Sequence, residues 1–531
     1  MGGAEKRRNW LWGGVALVVL ALGIGFRLWG AASFPMWLDE AYSAYAAAQG
    51  LDFLWTVVPR YETHPPFYYT LVWAWSQSFG DGLASLRAIG LTASIATAPL
   101  VALAARDLAR IGGFRRWPVL LAALGGFALH PFLIEMARQV RPYAPMTLAY
   151  AGAIAALIHI ARVAGQGRPV PRRAYGLYLV ALLLVLWLHN LGPLFAAALG
   201  LGALAILIRP GMRARNWGWL IGGHAIVGLL WLPALLILLD QAPTWVRDTW
   251  LKFAWAPALD RAPMLFVGPD PFAMAAAALL AVLGGVALWR TGSGRRVLAL
   301  LLSVGLLPVI AALLVSAWLA PIFLLRTLTP VAVPALLLIA AGAGGTRARA
   351  HWWEGCGRIA LVAIVLISMG VGDVANRQRG PQENWYPVVR WLAARYRPGD
   401  VILAYPNEGA LPFDRAVRDL GLTMPSRAIP TAIPTLSPPL GSWYVSGSRG
   451  VPSLDHAHLE AIAREPAIAR APTIWLLRVG PWAYDKGDIF LTALERGRRS
   501  AGTARSGTID LRGMRLPGVP DSMKPLPIPE K

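Results

Sequence analysis

The chain has 531 residues, of which 56% are hydrophobic and 15% charged, with a formal net charge of +22 and a mean hydropathy of +0.50. The charged share is well below the roughly 25% of soluble domains, and apolar runs of about 18 residues or more recur, so an ordinary soluble protein is excluded and helices crossing a bilayer are required. The single cysteine, Cys356, excludes an internal disulfide and argues against a thiolate metal cluster.

Residues 1–9 carry Lys6, Arg7 and Arg8, and an apolar run follows at about 10–30. Its small-residue end, Gly30-Ala31-Ala32-Ser33, would suit a cleaved signal peptide. The run exceeds the roughly 7–15 residues of such a segment, so it is read as a retained first helix. A long polar loop at 31–82 comes next. Further spans are expected near 83–105, 117–134, 143–161, 174–190, 192–208, 217–238, 271–289, 297–319, 327–344 and 358–372, about eleven in all. The stretch 174–208 has no charge and is divided at His189-Asn190.

The basic residues orient these spans. With a cytoplasmic N-terminus, alternate loops should hold Lys and Arg. The loops near 106–116, 162–173, 209–215, 290–296 and 347–358 are rich in arginine. The opposite set holds only Arg60, Arg138, Arg141, Arg247, Lys252, Arg261 and Arg326. The positive charge therefore reports topology and does not call for nucleic acid. It places the 31–82 loop and the C-terminus on the outer face.

Residues 1–373 are thus read as an all-α polytopic membrane domain. From 374 to 515 charge returns and a small soluble α/β domain is expected. Its predicted elements are an amphipathic helix at 384–398, a turn at Pro398-Gly399-Asp400, a buried strand at 401–405, a helix at 411–420, a loop at 426–442, strands at 473–479 and 509–511, and a helix at 487–498. The Pro-rich tail 516–531 is expected to be disordered.

Three places carry chemistry. Asp39 and Glu40 stand just outside the first span, where acids are functional candidates by default. Neighbours on a helix diverge by about 100°, so the two do not share one ligand, whereas Asp39, Tyr42 and Tyr45 share a face. A carboxylate there can act as general base or bind metal; the plainer alternative is an acid at a helix N-terminus. The outer segment 130–143 brings Glu135, Arg138, Arg141 and Tyr143 to the same side, and arginine holds phosphate through a planar fork of donors. Anchoring to lipid headgroups is its plainer role. Arg326 sits among apolar neighbours at the outer end of a span and needs a partner. His64 and His189 are also placed outside, and His456 with His458 is read as a surface pair.

Taken together, Leu38-Asp39-Glu40-Ala41-Tyr42, His64-Pro65-Pro66-Phe67-Tyr68-Tyr69, Phe79-Gly80, Leu86-Arg87 and Arg141-Pro142-Tyr143-Ala144 resemble the GT-C glycosyltransferases. The likeness is to the bacterial branch of the protein mannosyltransferase group, which includes lipid A aminoarabinose and lipopolysaccharide-core galacturonosyl transferases. It implies a GT-C membrane domain in the bacterial inner membrane, a polyprenyl-phosphate sugar donor, and a lipid, envelope-glycan or protein acceptor outside the cytoplasm. It further implies Asp39 as the essential acid with Glu40 beside it; the need to neutralise a departing phosphate in a dry site points to Arg141, Arg326 and Arg138 for the donor. His64, Tyr143, Tyr42, Glu135 and His189 would line the sugar or acceptor pocket. Related sequences read Gln-Glu-Ala-Arg before the Pro-Tyr pair; here the run is Arg138-Gln139-Val140-Arg141, with Glu135 a turn earlier, which leaves a divalent metal open. The competing reading is a transporter or lipid flippase using Asp39 for a proton or cation. Transporters place ionisable groups near the midplane, and these spans are nearly free of charge.

Overall fold

The structure is a computed structural model that describes residues 3–208, 214–248, 252–345, 352–381, 383–444 and 450–520. Arg209, Arg213, Arg347 and Arg349, used above for orientation, and most of the Pro-rich tail lie outside the described residues.

Among the described residues, eight helices are long and apolar enough to cross a membrane: Trp10–Leu28, Leu83–Ile111, Tyr143–Gly165, Trp217–Pro243, Pro271–Trp289, Gly292–Trp318, Leu325–Gly344 and Trp353–Arg379. The pair Arg116–Leu129 and Pro131–Ala137, bent by 53°, passes the same test together, as a broken span or a re-entrant loop. The bend is written in the sequence. Residues before proline avoid the helical region, His130 is extended, and its Nδ1 accepts the Leu133 N–H at 3.4 Å to start the second piece. Two shorter helices, Arg172–Leu188 and Gly192–Leu207, lie where the two short spans were expected. The chain is a multi-pass membrane protein.

The chain divides into two compact units. The first comprises Met1–Ala31, Arg87–Leu238 and Phe253–Arg379; the second comprises Ala32–Leu86, Leu239–Lys252 and Gly380–Lys531.

In the first unit, small residues bring helices into backbone contact, as expected where lipid offers no hydrophobic drive to association. A Cβ on Gly342 would fall 1.9 Å from the Leu280 carbonyl oxygen, and one on Gly284 would fall 2.5 Å from that of Leu338. The Gly and Ala abundance thus has a packing role. Arg27, buried near the end of the first helix, donates to Ser94 Oγ at 2.8 Å and to the Ala128 and Phe127 carbonyls at 2.8 and 2.9 Å.

In the second unit the strands are β1 (Val401–Tyr405), β2 (Ser426–Ala428), β3 (Trp443–Tyr444), β4 (Pro452–Ser453), β5 (Thr473–Val479), β6 (Arg499–Ser506) and β7 (Ile509–Arg515). Five form one sheet in the order β2-β1-β5-β7-β6; β3 and β4 pair separately. β2, β1 and β5 run parallel, and β7 and β6 are antiparallel. Alternate residues feed two cores. Ile402, Ala404, Trp475 and Leu477 pack with Trp385–Ala393 and Ala410–Asp419, while Leu403, Tyr405, Ile474 and Leu476 pack with Ile489–Glu495 and Leu459. The expected helices at 384–398 and 487–498 are shorter than predicted, and the expected loop at 426–442 begins with β2. β6 was not predicted, because its polar sequence RSAGTARS suits an exposed edge strand rather than a buried one.

The segment 32–86 is helical over much of its length, at Leu38–Ala48 and Phe67–Phe79. It is tied to the C-terminal strands and helices of its unit. The Leu38 N–H donates to Glu383 Oε2 at 3.1 Å, Tyr45 Oη to the Ile433 carbonyl at 2.7 Å, and Arg415 to the Asp81 carbonyl at 2.8 Å.

Candidate functional site

The helix Leu38–Ala48 starts from an extended Trp37 and separates the two adjacent acids. Glu40, buried, turns back so that its Oε2 accepts the Trp37 N–H at 3.4 Å, satisfying a donor at the helix start. Asp39 is half-buried on a different face. Its carboxylate lies within electrostatic reach of Glu408, which stands in the turn Asn407–Gly409 after β1.

Around this pair stand further groups from the 32–86 segment. Tyr42 is buried, and its hydroxyl and that of Tyr61 share a hydrogen bond. Its ring meets those of Tyr61 and Tyr69 edge-on, with centroids 6.2 and 5.7 Å away. Burial pushes both hydroxyls well above the usual phenol range. Glu62 Oε1 pairs with His64 Nδ1 at 2.7 Å and accepts the His64 N–H at 3.1 Å. Glu408 keeps some surface, yet its carboxyl is closely surrounded by protein. Burial first, then the neighbouring Glu62 and Asp39, push its pKa up to about 8. Asp39, Glu62 and Glu408 thus form an acidic group beside a phenol pair.

Asn407 fixes the turn. It is fully buried, and its Nδ2 donates to the Ala432 carbonyl at 2.8 Å, Thr435 Oγ1 at 3.2 Å and the Gly450 carbonyl at 3.2 Å. Its Oδ1 accepts the Glu408 N–H at 3.0 Å.

The first unit holds the other expected residues in two groups. The Arg141 guanidinium lies 5.9 Å from the Tyr143 ring centre, and that ring is 5.8 Å from the ring of His189. Arg141 and Tyr143 are buried; His189, also buried, accepts the Leu191 N–H on Nδ1 at 3.0 Å. Glu135, exposed on the helix Pro131–Ala137, is within electrostatic reach of Arg326 and of Asp373. Arg138 is directed elsewhere. Its Nε donates to the Arg27 carbonyl at 3.1 Å and its terminal nitrogen to that of Phe26, so it caps the end of the first helix. Among the described residues, no three His, Cys, Asp or Glu side chains converge as a metal-binding group.

Sequence reasoning missed Glu62, Tyr61, Asn407 and Glu408. Two signals were available: the Glu62-Thr63-His64 spacing inside the candidate loop, and an acid directly after a buried strand. Ligands of open α/β sheets lie at the carboxyl ends of parallel strands.

Solved structures carry the same architecture. The chain is similar to ArnT from Cupriavidus metallidurans in the apo state, with a TM-score of 0.58 and 13% identity over 96% of this chain and 98% of that one. The same protein bound to undecaprenyl phosphate gives 0.56 and 13% identity over 95% and 97%. The chain has the GT-C fold. A further similar GT-C structure is the oligosaccharyltransferase AglB from Archaeoglobus fulgidus, in complex with an inhibitory peptide and a dolichol-phosphate. It gives a TM-score of 0.50 and 11% identity over 95% of this chain and 74% of that one. No family model matches the sequence, and no curated protein sequence matches it.

Proposed function

We propose that this chain is a membrane glycosyltransferase. It moves a sugar from a polyprenyl-phosphate donor to a lipid, envelope-glycan or protein acceptor on the outer face of the bacterial cytoplasmic membrane. The observation that carries this reading is the place of Asp39: a half-buried carboxylate at the start of a helix just beyond the first span, in a GT-C fold. The likeness to ArnT, solved with undecaprenyl phosphate, supports the donor class. The spans of residues 1–373 form the membrane part, and the loop 31–82 that carries Asp39 packs with the α/β domain of residues 374–515 outside the cytoplasm.

The chemistry needs little more than a base and an anion hold. Asp39 takes the proton of the acceptor hydroxyl as its oxygen attacks the anomeric carbon. The anomeric C–O bond to phosphate breaks, and polyprenyl phosphate leaves with the electron pair. Attack opposite the leaving group inverts the anomeric centre. Arg141 and Arg326 neutralise the charge that grows on the departing phosphate, and a water-poor setting makes that worth more than in solution. Tyr143 and His189 line the sugar beside Arg141, Glu135 holds Arg326, and Tyr42 and His64 line the acceptor side. Glu40 fixes the helix start and hence the direction of Asp39.

The test is a strain deleted for this chain and complemented with wild type, Asp39→Asn or Asp39→Glu, its envelope lipids and glycans read by mass spectrometry. Deletion removes one sugar modification, wild type restores it, and Asp39→Asn, inserted at normal level, lowers it by a factor of about 10² or more. Full restoration by Asp39→Asn, or loss of solute uptake in place of a sugar, overturns the reading.

A further inference from the structure

Near the C-terminal end of the helix Leu83–Ile111, one buried carboxylate gathers more positive charge than it can balance. Asp107 is buried, and its Oδ2 meets His159 Nδ1 at 2.8 Å and Arg162 Nε at 3.1 Å, both from the helix Tyr143–Gly165. Its Oδ1 is left to two arginines of its own helix, Arg106 Nε at 3.4 Å and Arg110 at 3.5 Å. Those two contacts stand at the outer limit of hydrogen-bond distance. Arg106 is partly exposed and Arg110 exposed, so the acid holds them weakly. Among the described residues no second carboxylate pairs with any of the three arginines. Three guanidinium groups thus share one acid, and Arg106 and Arg110 stand one turn apart, where like charges repel. The exposed face of the same helix leads to them. Thr92, Ala96, Pro99 and Leu103 are exposed at alternating steps of four and three residues, and Arg106 and Arg110 continue the series. Residues three and four apart share a helix face. One exposed strip of a membrane span therefore ends in two guanidinium groups. A topology signal needs arginines near the bilayer surface; it does not need a buried acid to gather them at the end of one strip.

We propose that this end of the helix Leu83–Ile111 binds an anionic phospholipid of the bilayer. The lipid phosphate accepts hydrogen bonds from Arg106 and Arg110, whose planar forks suit it. An acyl chain lies along Leu103, Pro99 and Ala96. Asp107, Arg162 and His159 join the two helices behind the headgroup and keep the arginines in place. An arginine at the membrane surface adds about 5-fold in affinity for an anionic lipid, so the pair adds about 25-fold. The ligand is a lipid of the surrounding membrane and not the sugar donor, so the site stands whether or not Asp39 is the base.

The probe is phosphatidylglycerol, offered beside an equal amount of phosphatidylcholine to the full-length chain in detergent, with retained lipids counted by native mass spectrometry. Wild type is expected to retain phosphatidylglycerol in preference. Arg106→Gln with Arg110→Gln is expected to lower its affinity by about 25-fold. Arg173→Gln with Arg290→Gln removes the same charge from exposed positions in two other basic loops and is expected to bind like wild type. Arg106→Lys with Arg110→Lys keeps the charge and is expected to lose less than about 5-fold, which covers the case in which the glutamine pair does not insert. Inorganic phosphate in large excess is expected to leave the lipid in place, because it has no chain to lie along the strip. Four results overturn the proposal: no preference in wild type, equal losses in the two glutamine pairs, a lysine pair that loses the full 25-fold, or displacement of the lipid by inorganic phosphate. Equal losses would mean that diffuse basic charge, and not a built site, attracts the lipid.

Discussion

Asn407 offers the most direct test of how the fold supports the candidate site. Replacing it with alanine removes two N–H donors shared among three acceptors and one accepted hydrogen bond. Each is worth about 1 kcal/mol net, and a buried partner left unmet costs about 1–3 kcal/mol. The losses are not all equal. The exposed Ala432 can turn its carbonyl to water, and the Gly450 carbonyl still accepts the Thr435 N–H at 3.0 Å. The Asn407→Ala change should therefore ease local opening by about 2–4 kcal/mol. Hydrogen exchange of peptides from 401–420 and 426–444, read by mass spectrometry in detergent, should quicken by about 30- to 1000-fold, since about 1.4 kcal/mol is a factor of ten. Asn407→Asp is the sharper probe. It keeps the size but turns an acceptor toward two carbonyls and a hydroxyl, so at pH 7 it should open more readily than the alanine variant. The reasoning fails if exchange in Asn407→Ala stays within about 3-fold of wild type, or if aspartate is tolerated better than alanine.

Two further outcomes follow from buried polar groups. Arg478, 2% exposed, is ion-paired with Asp485 and Asp510 in the C-terminal sheet. Arg478→Met strands buried acids and should destabilise that domain by about 3–5 kcal/mol by exchange of 473–515. Burial raises the pKa of Asp510, but hydrogen bonds from Arg478, Arg505 and Arg512 outweigh it and hold the group below the usual carboxylate range. Its contribution is therefore present above the unfolded value near 4 and lost as pH falls through the lower folded value. In Arg478→Met, Arg505 and Arg512 still pair with Asp510, so the loss of stability in acid should become shallower; an unchanged slope would contradict this. Tyr42→Phe or Tyr61→Phe alone leaves one buried hydroxyl without its partner and should cost about 1–2 kcal/mol, while the double change should cost little more than either single one. Additive losses in thermal unfolding would refute the pairing.

The membrane part was legible because its signals are local. Apolar length gives the spans and arginine-rich loops give an expected orientation; the bend at His130-Pro131 falls inside the expected span 117–134, although the proline there was a signal for it. The C-terminal strands 401–405 and 473–479 were legible for the same reason, each being a continuous apolar run. What stayed hidden depends on contacts across hundreds of residues. An acid directly after a buried strand marks Glu408 only weakly; Asp39 and Glu62 come near it because the segment 32–86 folds against the C-terminal sheet. Arg138 shows the converse. Its sequence neighbours suggest a phosphate grip, but the carbonyls that take its fork belong to a helix more than a hundred residues earlier.

The division of labour between Asp39 and Glu40 follows from the same physics at short range. Adjacent helical positions cannot face one partner, so a pair of acids at a helix start must separate. The longer Glu40 side chain can reach back to the Trp37 N–H, which the helix itself leaves unmet. The shorter aspartate cannot make that return from one position earlier, so it stays on another face of the helix, within electrostatic reach of Glu408. On this argument the order of the two acids matters as much as their presence. Exchanging them, as Asp39→Glu with Glu40→Asp, keeps the charge and composition of the loop. It should nevertheless loosen the helix start and misdirect the base, with sugar transfer falling as far as in Asp39→Asn. Wild-type transfer by the exchanged pair would mean that either acid serves, and that the helix start does not select between them.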